Sequence, residues 1–244
     1  MIPDPETTQE VAKATKAVAD ASAKLIEASE GVGKFIARFI AGPLEQGMGI
    51  FEDKLKYMRW DRQLRLMKRA EEVIAERGYD MPTRAVPMKV AIPLFQGASM
   101  EEDDSLQDRW VNLLVNAAYA ESGLEIRRAY IEILAQLDSL EVQILDKIYT
   151  LPFAATSTWG LITTWLPERA EVATEHSTSG VHPPEPVCAA LANLARLGCI
   201  KPTNMILGGE FLVQVYTTRL GRDFVAACRQ PSEGVSAADI EVGP

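Results

Sequence analysis

The chain has few of the residues that most often build reactive sites. It contains two histidines and three cysteines among 244 residues, and the cysteines have no CxxC spacing. An odd number of cysteines in apolar surroundings predicts buried free thiols in a reducing compartment, rather than a disulfide framework or a zinc site. GxSxG and P-loop sequences are also missing. We therefore predict no catalytic residue, no metal and no cofactor, and we expect that the protein is not an enzyme.

Long apolar runs are missing as well. Residues 35–44 are interrupted by Arg38 and Pro43, and the uncharged residues 150–167 include two prolines and one glycine. A membrane span needs about 20 consecutive apolar residues, so neither segment qualifies. The first residues do not show the basic and then apolar regions of a signal peptide. These observations predict a cytoplasmic protein without a transmembrane segment.

Positive charge is scarce overall and concentrated locally. Lys plus Arg total 25 against 34 for Asp plus Glu, so the formal net charge is -9. Residues 54–69 nevertheless carry seven basic residues and one acid, and residues 101–104 form an acidic run. A net negative protein is repelled by phosphate backbones, which argues against non-specific nucleic-acid binding.

The first 137 residues are predicted to be helical. Apolar residues recur at helical spacing in residues 7–30 and in the basic residues 51–77, and Gly78 is expected to end the second of these helices. Pro82 and Pro87 predict a loop after it. The fraction of apolar residues, 47%, is that of an ordinary globular protein with a core.

A helical hairpin is predicted after this loop. Ser99 and Glu102 have the spacing of a capping box, and Trp110 lies at the centre of the apolar stripe that follows. A second stripe occupies residues 126–137, after the turn at Ser122-Gly123. Two matched stripes joined by a short turn predict two antiparallel helices packed against each other.

Residues 138–230 have the element order of a winged helix. A short helix capped by Ser139 is followed by a polar connector at 167–186, and by a helix that stops at Gly198. A β-hairpin is predicted from residues 204–207 and 210–216, joined by Gly208-Gly209. Thr218 is predicted to start the last helix. We predict a winged-helix-like domain with a small β-hairpin here, and a disordered tail over residues 231–244.

The basic residues 54–69 supply one candidate binding surface. Its four arginines recur every three or four residues and share one helix face: Arg59, Arg62, Arg65 and Arg69. This face is interpreted in three ways. It is a solvated face without a function, a surface for a partner or an anion such as nucleic acid or an anionic membrane, or a dock for the acidic run.

The acidic run itself also has two interpretations. Four carboxylates at 101–104 could in principle hold Mg²⁺, but consecutive residues of a helix point in different directions. A solvated first turn, matched to the positive end of the helix dipole, is the simpler hypothesis.

The winged-helix-like part supplies a second candidate surface, for nucleic acid. Residues 186–230 contain five basic and two acidic residues, a local excess of three positive charges. The predicted recognition helix exposes mostly Ala189, Ala190, Asn193 and Arg196, of which only the last two can read a base edge. A protein-contact module is therefore favoured over a sequence-specific DNA reader. The candidate nucleic-acid contacts are Asn193, Arg196, Lys201, Arg219 and Arg222.

Several segments resemble a known protein family. They are the basic helix through Lys68-Arg69-Ala70, the segment Val86 to Val90, the acidic helix around residues 99–117, and residues 133–145, 191–200 and 216–228. Together they resemble the abortive-infection alpha (Abi-alpha) family of bacterial proteins. The resemblance covers about three quarters of the chain, and the acidic helix with its tryptophan and paired leucines is its most specific part.

The resemblance implies a helical protein of phage defence, and the family has no known catalytic residue that could be transferred to this chain. We therefore expect a non-enzymatic defence protein that acts through contacts with a protein partner or another copy of itself. The alternative is a nucleic-acid-binding regulator that uses the winged-helix-like part.

Overall fold

The described part of the chain is mostly helical, with a small antiparallel sheet towards the C-terminus, as the sequence predicts. The computed structural model describes residues 31, 33–39, 60–174, 181–204 and 210–230. The predicted helix at residues 7–30, Arg59, the turn Gly208-Gly209 and the tail at 231–244 lie outside these ranges. None of the described helices combines the length and apolar character needed to cross a bilayer.

In the described part of the N-terminal half, residues 33–39 are helical, and from Trp60 onward there are four α-helices and one short 3₁₀ turn, which the turn Ser122-Gly123 ends. Their bounds are α1 Trp60–Glu76, α2 Met88–Met100, α3 Asp104–Ala118, the 3₁₀ turn Ala120–Ser122, and α4 Arg128–Leu134. The apolar stripe of α1 is buried as predicted, with Leu66, Ala70 and Val73 all in the core. The chain leaves α1 through Gly78, whose φ of 64° is the left-handed conformation expected after a helix end.

Helix α2 corrects two of the predictions. The predicted loop at Pro82 and Pro87 is followed directly by a helix at residues 88–100, where the sequence predicts none before Ser99, and Ser99 lies within the last turn of α2 instead of capping the next helix. The residue that caps α3 is Asp103. The carboxylate of Asp103 accepts hydrogen bonds from the backbone N–H groups of Ser105 at 2.8 Å and Leu106 at 3.3 Å.

Helices α1 and α3 lie side by side and run in the same direction. Arg62, Arg65 and Arg69 on α1 pair in order with residues 102, 104 and 108 at or within the start of α3. Helix α2 runs the opposite way, since it ends beside Arg62 and the residues before its start contact the end of α3. Helix α4 packs against α2. The predicted hairpin of α3 with residues 126–137 is thus corrected, because the main helical neighbours of α3 are α1 and α2.

The core is closed around Trp110, as its position in the apolar stripe predicts. Its side chain is 1% exposed, and the surrounding residues of the stripe are also buried: Leu106, Leu113, Leu114 and Ala117. Gly97 of α2 lies against the indole, where an added Cβ would come within 2.3 Å of the ring. The glycine therefore allows α2 to approach α3 closely.

The described residues of the C-terminal half form four helices and four strands. Their bounds are α5 Ser139–Ile148, α6 Phe153–Thr158, β1 Leu161–Ile162, β2 Glu171–Val172, α7 Glu185–Arg196, β3 Ile200–Asn204, β4 Glu210–Thr217 and α8 Arg219–Ala227. The strands form one antiparallel sheet in the order β2-β1-β4-β3. The predicted hairpin is present as β3 and β4, with its first strand starting at Ile200, four residues earlier than predicted.

Three local predictions in this half have clear outcomes. Thr218 caps α8 as predicted, since its hydroxyl accepts the N–H of Gly221 at 2.9 Å. Helix α5 is capped by Asp138 and not by Ser139, and the Glu141 carboxylate accepts the Asp138 N–H at 2.6 Å. The connector after Pro167 contains β2, which the sequence pattern does not show. The winged-helix arrangement itself stays a prediction.

The two halves share one hydrophobic cluster that includes residues from Phe35 to Cys228. Polar contacts join them as well. The buried amide of Asn116 on α3 donates to the carbonyl oxygens of Ala227 at 2.8 Å and Arg229 at 3.0 Å. The described residues before and after residue 137 therefore contact each other extensively. The domain boundary at residue 137 stays a prediction.

Candidate functional site

The arginines of α1 form a row of ion pairs with α3. Arg62 pairs with Glu102 and donates to the carbonyl oxygen of Met100 at 2.8 Å, and its side chain is 14% exposed. Arg65 pairs with Asp104 at 3.3 Å in a more open position. These are the pairs expected if the arginine face docks on the acidic run. The hypothesis that this face binds a partner or an anion stays a prediction.

Arg69 makes the most extensive contacts of the row. Its guanidinium donates to both carboxylate oxygens of Asp108, at 2.7 and 3.3 Å, and to Glu72 at 3.0 Å. These hydrogen bonds raise the pKa of Arg69. The arginine is thus held as a cation between two carboxylates, one on its own helix and one on α3.

The acidic run is used to start helix α3. The carboxylate of Glu101 accepts the N–H groups of Glu102 and Asp103, at 2.8 and 3.0 Å. Hydrogen bonds from Ser105 and Ser139 lower the pKa of Asp103 to about 2. A carboxylate at the positive end of a helix dipole is stabilised as an anion. Within the described ranges, no group of three or more His, Cys, Asp or Glu side chains has the arrangement of a metal site.

Two of the candidate nucleic-acid residues are bound within the protein. The Asn193 amide donates to the carboxylate of Glu141 at 2.6 Å and to the carbonyl oxygen of Gln136 at 3.1 Å. Arg196 donates to the side-chain oxygen of Gln136 at 3.0 Å and to that of Asn193. Ala190, expected on the exposed face, is buried. The face of α7 that carries Asn193 and Arg196 therefore lies against the α4–α5 connection.

The other three candidates lie on different elements. Lys201 on β3 and Arg219 at the start of α8 are exposed. Arg222 pairs with Asp223 at 2.9 Å, and its guanidinium lies 4.7 Å from the centre of the Phe153 ring. The five candidates thus lie on α7, β3 and α8. Their contact with nucleic acid stays a prediction.

An open cleft lined mostly by polar and charged residues, which the sequence does not predict, lies where α3, α5 and the end of α8 meet. Its volume is about 500 Å³. It is lined by Ser105, Asp108, Arg109, Asn112, Asp146, Thr150, Cys228, Arg229 and Gln230. Among the four residues from α3, Ser105 and Arg109 are four apart and so are Asp108 and Asn112, so the four lie on one side of the helix.

Three charged side chains of this cleft pair with one another, and the fourth, Asp108, pairs with Arg69 outside it. The carboxylate of Asp146 pairs with Arg109 on one oxygen and with Arg229 on the other, the second at 3.0 Å. The amide oxygen of Asn112 accepts a hydrogen bond from Arg77 at 2.6 Å. The cleft therefore presents two guanidinium groups that share a single carboxylate.

The thiols of the chain are poor nucleophiles where they lie. Cys188, Cys199 and Cys228 are free, as predicted; the last two are buried, whereas Cys188 is half-buried. Burial raises the pKa of Cys199 and of Cys228 to about 12. Since the thiolate is the reactive form, Cys228 at the edge of the cleft is protonated at neutral pH.

Two tryptophans on either side of β1 are unusually exposed. The side chains of Trp159 and Trp165 are 52% and 53% exposed, and the guanidinium of Arg169 lies 5.3 Å from the centre of the Trp165 ring. Large aromatic side chains in water are typical of binding surfaces. From the sequence, residues 150–167 argue only against a membrane span, so sequence reasoning missed this exposure.

The described residues form a mostly helical protein with one shared hydrophobic cluster and with charged and aromatic side chains on its surface. The family model named Abortive infection alpha matches residues 61–228. The chain belongs to this family, as the resemblance of its basic and acidic helices indicates. No curated protein matches the chain, and no solved structure does.

Proposed function

We propose that the protein is a bacterial, cytoplasmic defence protein of the abortive-infection type that acts through contacts with another protein. The observation that carries the proposal is the family match over residues 61–228, which includes both helices of the arginine row and the whole C-terminal sheet. The family is named for abortive infection.

A binding role fits the chemistry of the described residues better than a catalytic one. The thiols of Cys199 and Cys228, with pKa values near 12, are not available as thiolates. His182 packs edge-on against Phe211, with 5.6 Å between ring centres. The carboxylates of the acidic run accept backbone hydrogen bonds or arginine ion pairs. These protonation states and contacts favour structural roles for the groups, which supports the proposal that the protein is not an enzyme.

The exposed tryptophans are the best candidates for the contact with a partner protein. Tryptophan is enriched among residues that dominate binding energies, because it buries a large area with few rotatable bonds. Trp159 and Trp165 remain half exposed in the isolated chain. A partner that covers the exposed parts of these two side chains would remove apolar surface from water, which favours binding.

The test is protection of bacteria against phage. The wild-type chain is expressed in a bacterial host, and the efficiency of plating is measured over a broad phage panel. We expect reduced plating for at least one phage. Unchanged plating by the whole panel would contradict the defence function.

The contact surface is tested in the same assay with Trp159→Ala and Trp165→Ala combined. A matched control is Met100→Ala, which truncates another exposed apolar side chain, 73% exposed at the end of α2. We expect the double variant to lose protection at an unchanged melting temperature, while the control keeps both. Full protection by the double variant would show that the tryptophans are not the contact.

A further inference from the structure

Strand β2 lies at one edge of the C-terminal sheet. It pairs with β1 on one side, and no other strand of the described residues pairs with its outer edge. The N–H of Ala173 donates to the carbonyl oxygen of Gly160, directly before β1, at 3.0 Å. Backbone groups of successive strand residues point to opposite sides, so those of Ala170 and Val172 point away from β1. The outer edge of β2 therefore presents N–H and C=O groups to a further strand.

The side chains along this edge carry charges of both signs. The Nε of Arg169 lies 3.2 Å from a carboxylate oxygen of Glu171, and the two side chains are 59% and 48% exposed. Residues two apart in an extended chain lie on the same face. Glu171 is opposite Ile162 of β1, whose neighbour Leu161 faces the core. Both charges therefore lie on the outer face of the sheet.

A cation and an anion two residues apart are complementary to a second copy of the same strand. When two such strands pair antiparallel about a twofold axis at Ala170, Arg169 of each copy lies directly opposite Glu171 of the other. The backbone groups of these two residues do not point to the partner strand, and side chains in such pairs approach closely. Opposite charges facing each other across strands attract, and a contact between identical surfaces closes as a twofold dimer.

Trp165 links this edge to the exposed tryptophans. The guanidinium of Arg169 lies 5.3 Å from the centre of the Trp165 ring, and about half of the tryptophan side chain is exposed. A second copy whose Glu171 contacts Arg169 would cover part of this ring. Because of the twofold axis, the same apolar surface would be removed from water on both copies, which favours association.

We propose that β2 pairs antiparallel with β2 of a second copy of this chain, with reciprocal ion pairs between Arg169 and Glu171 and with Trp165 at the margin of the interface. The inference rests on the proposed function, because it names the protein that the tryptophans contact. Its test measures the oligomeric state of the purified chain without phage. A monomer would leave the defence function to the plating assay, and a dimer without phage protection would leave the strand pairing in place.

Pairing is tested by sedimentation of the full chain from about 1 µM to about 300 µM, because small interfaces bind weakly. We expect a reversible equilibrium of monomer and dimer. Arg169→Glu and Glu171→Arg each place like charges opposite each other at two positions, so each should weaken dimerisation about tenfold or more. The matched control is Arg128→Glu, which reverses the charge of an exposed arginine paired with Glu132 on α4 and should dimerise as the wild type does.

An equimolar mixture of the two charge-reversal variants tests the register of the strands. In a mixed dimer, one chain supplies two acids and the other supplies two cations, so opposite charges face each other again at both positions. We expect the mixture to dimerise with about the affinity of the wild type. A chain that carries Arg169→Glu and Glu171→Arg together exchanges the two charges and should dimerise by itself. All of these variants change exposed side chains and should melt like the wild type.

Three results would overturn the proposal. A wild-type chain that stays monomeric over the whole concentration range would show that these charges protect the edge from pairing. Dimerisation that neither single reversal weakens would place the contact elsewhere on the chain. A mixture of the two variants that stays monomeric, when the wild type dimerises, would show that Arg169 and Glu171 do not face each other across the two copies.

Discussion

At the scale of single residues, the packing of α2 on α3 depends on the pair Gly97 and Trp110. The indole is almost fully buried, and the missing side chain of Gly97 leaves the space that its ring fills. We expect Trp110→Ala to lower the free energy of unfolding by about 3–5 kcal/mol, the usual loss when a large buried aromatic residue is removed. Urea denaturation followed by circular dichroism measures this change.

Trp159→Ala is the matched control for this variant. It makes the same substitution at a side chain that is 52% exposed, so we expect a change of less than about 0.5 kcal/mol. Equal stability of Trp110→Ala and the wild type would contradict the placement of this tryptophan in the core. The periodicity of α3 identifies Trp110 as a core residue, but it does not reveal that a glycine of another helix lies against it.

At the scale of secondary-structure elements, the ion pairs between α1 and α3 are expected to contribute unequally to the free energy of unfolding. Arg62 is largely buried and donates to a carbonyl oxygen at the end of α2 as well as to Glu102. Arg65 and Asp104 are 55% and 90% exposed. We expect Arg62→Ala to cost about 1–2 kcal/mol, since it removes charged hydrogen bonds, and Arg65→Ala to cost less than about 0.5 kcal/mol, since exposed pairs are weak.

Thermal melts of the two variants at low and high salt check this difference. The decrease in melting temperature caused by Arg65→Ala should disappear in high salt, because salt screens exposed charges. Most of the decrease caused by Arg62→Ala should remain. Equal destabilisation of both variants would show that the ion pairs of Arg62 and Arg65 contribute equally to stability, in spite of their different exposure. If neither variant is destabilised, the arginine face does not act as a dock.

Helix ends were harder to predict than helix faces. The spacing of apolar residues correctly indicates α1, α3 and α7, because a helix that packs on a core repeats its buried residues every three or four positions. Helix α2 contains Pro93, and a proline within a helix usually argues against one. Ser99 and Glu102 imitate a capping box, yet the cap is the neighbouring Asp103.

The sheet and the cleft show why local patterns are insufficient. Strands β1 and β2 have two residues each, and they are strands because they pair with other strands. Strand β1 pairs with both β2 and β4. Two residues are too few for an alternating pattern. Arg109, Asp146 and Arg229 meet in the cleft from three separate helices or helix ends, so their spacing in the sequence carries no signal. The arginine row was accessible to sequence reasoning because it lies on one helix.

At the scale of the whole molecule, Asn116 connects three parts of the structure. It is fully buried. Its amide group donates to the two carbonyl oxygens at the end of α8, and its oxygen accepts from Arg77 at 2.8 Å. The residue thereby joins the end of α1 to α3 and to the last helix of the chain. A buried polar group with all its partners satisfied favours a single arrangement of the elements around it.

We expect the two halves to unfold together, because the shared core and the Asn116 contacts cross residue 137. In hydrogen exchange at increasing denaturant, the slowest amides of α3 and of α7 should report the same free energy of opening. Asn116→Ala should lower both values together by about 2–4 kcal/mol, since it leaves the carbonyl oxygens of Ala227 and Arg229 without this donor and removes one of the two side-chain acceptors of Arg77. Asn112→Ala removes one hydrogen bond at a less buried position and should lower them less. Exchange of α7 at a clearly lower free energy than α3 would instead support two independently folding domains divided at residue 137.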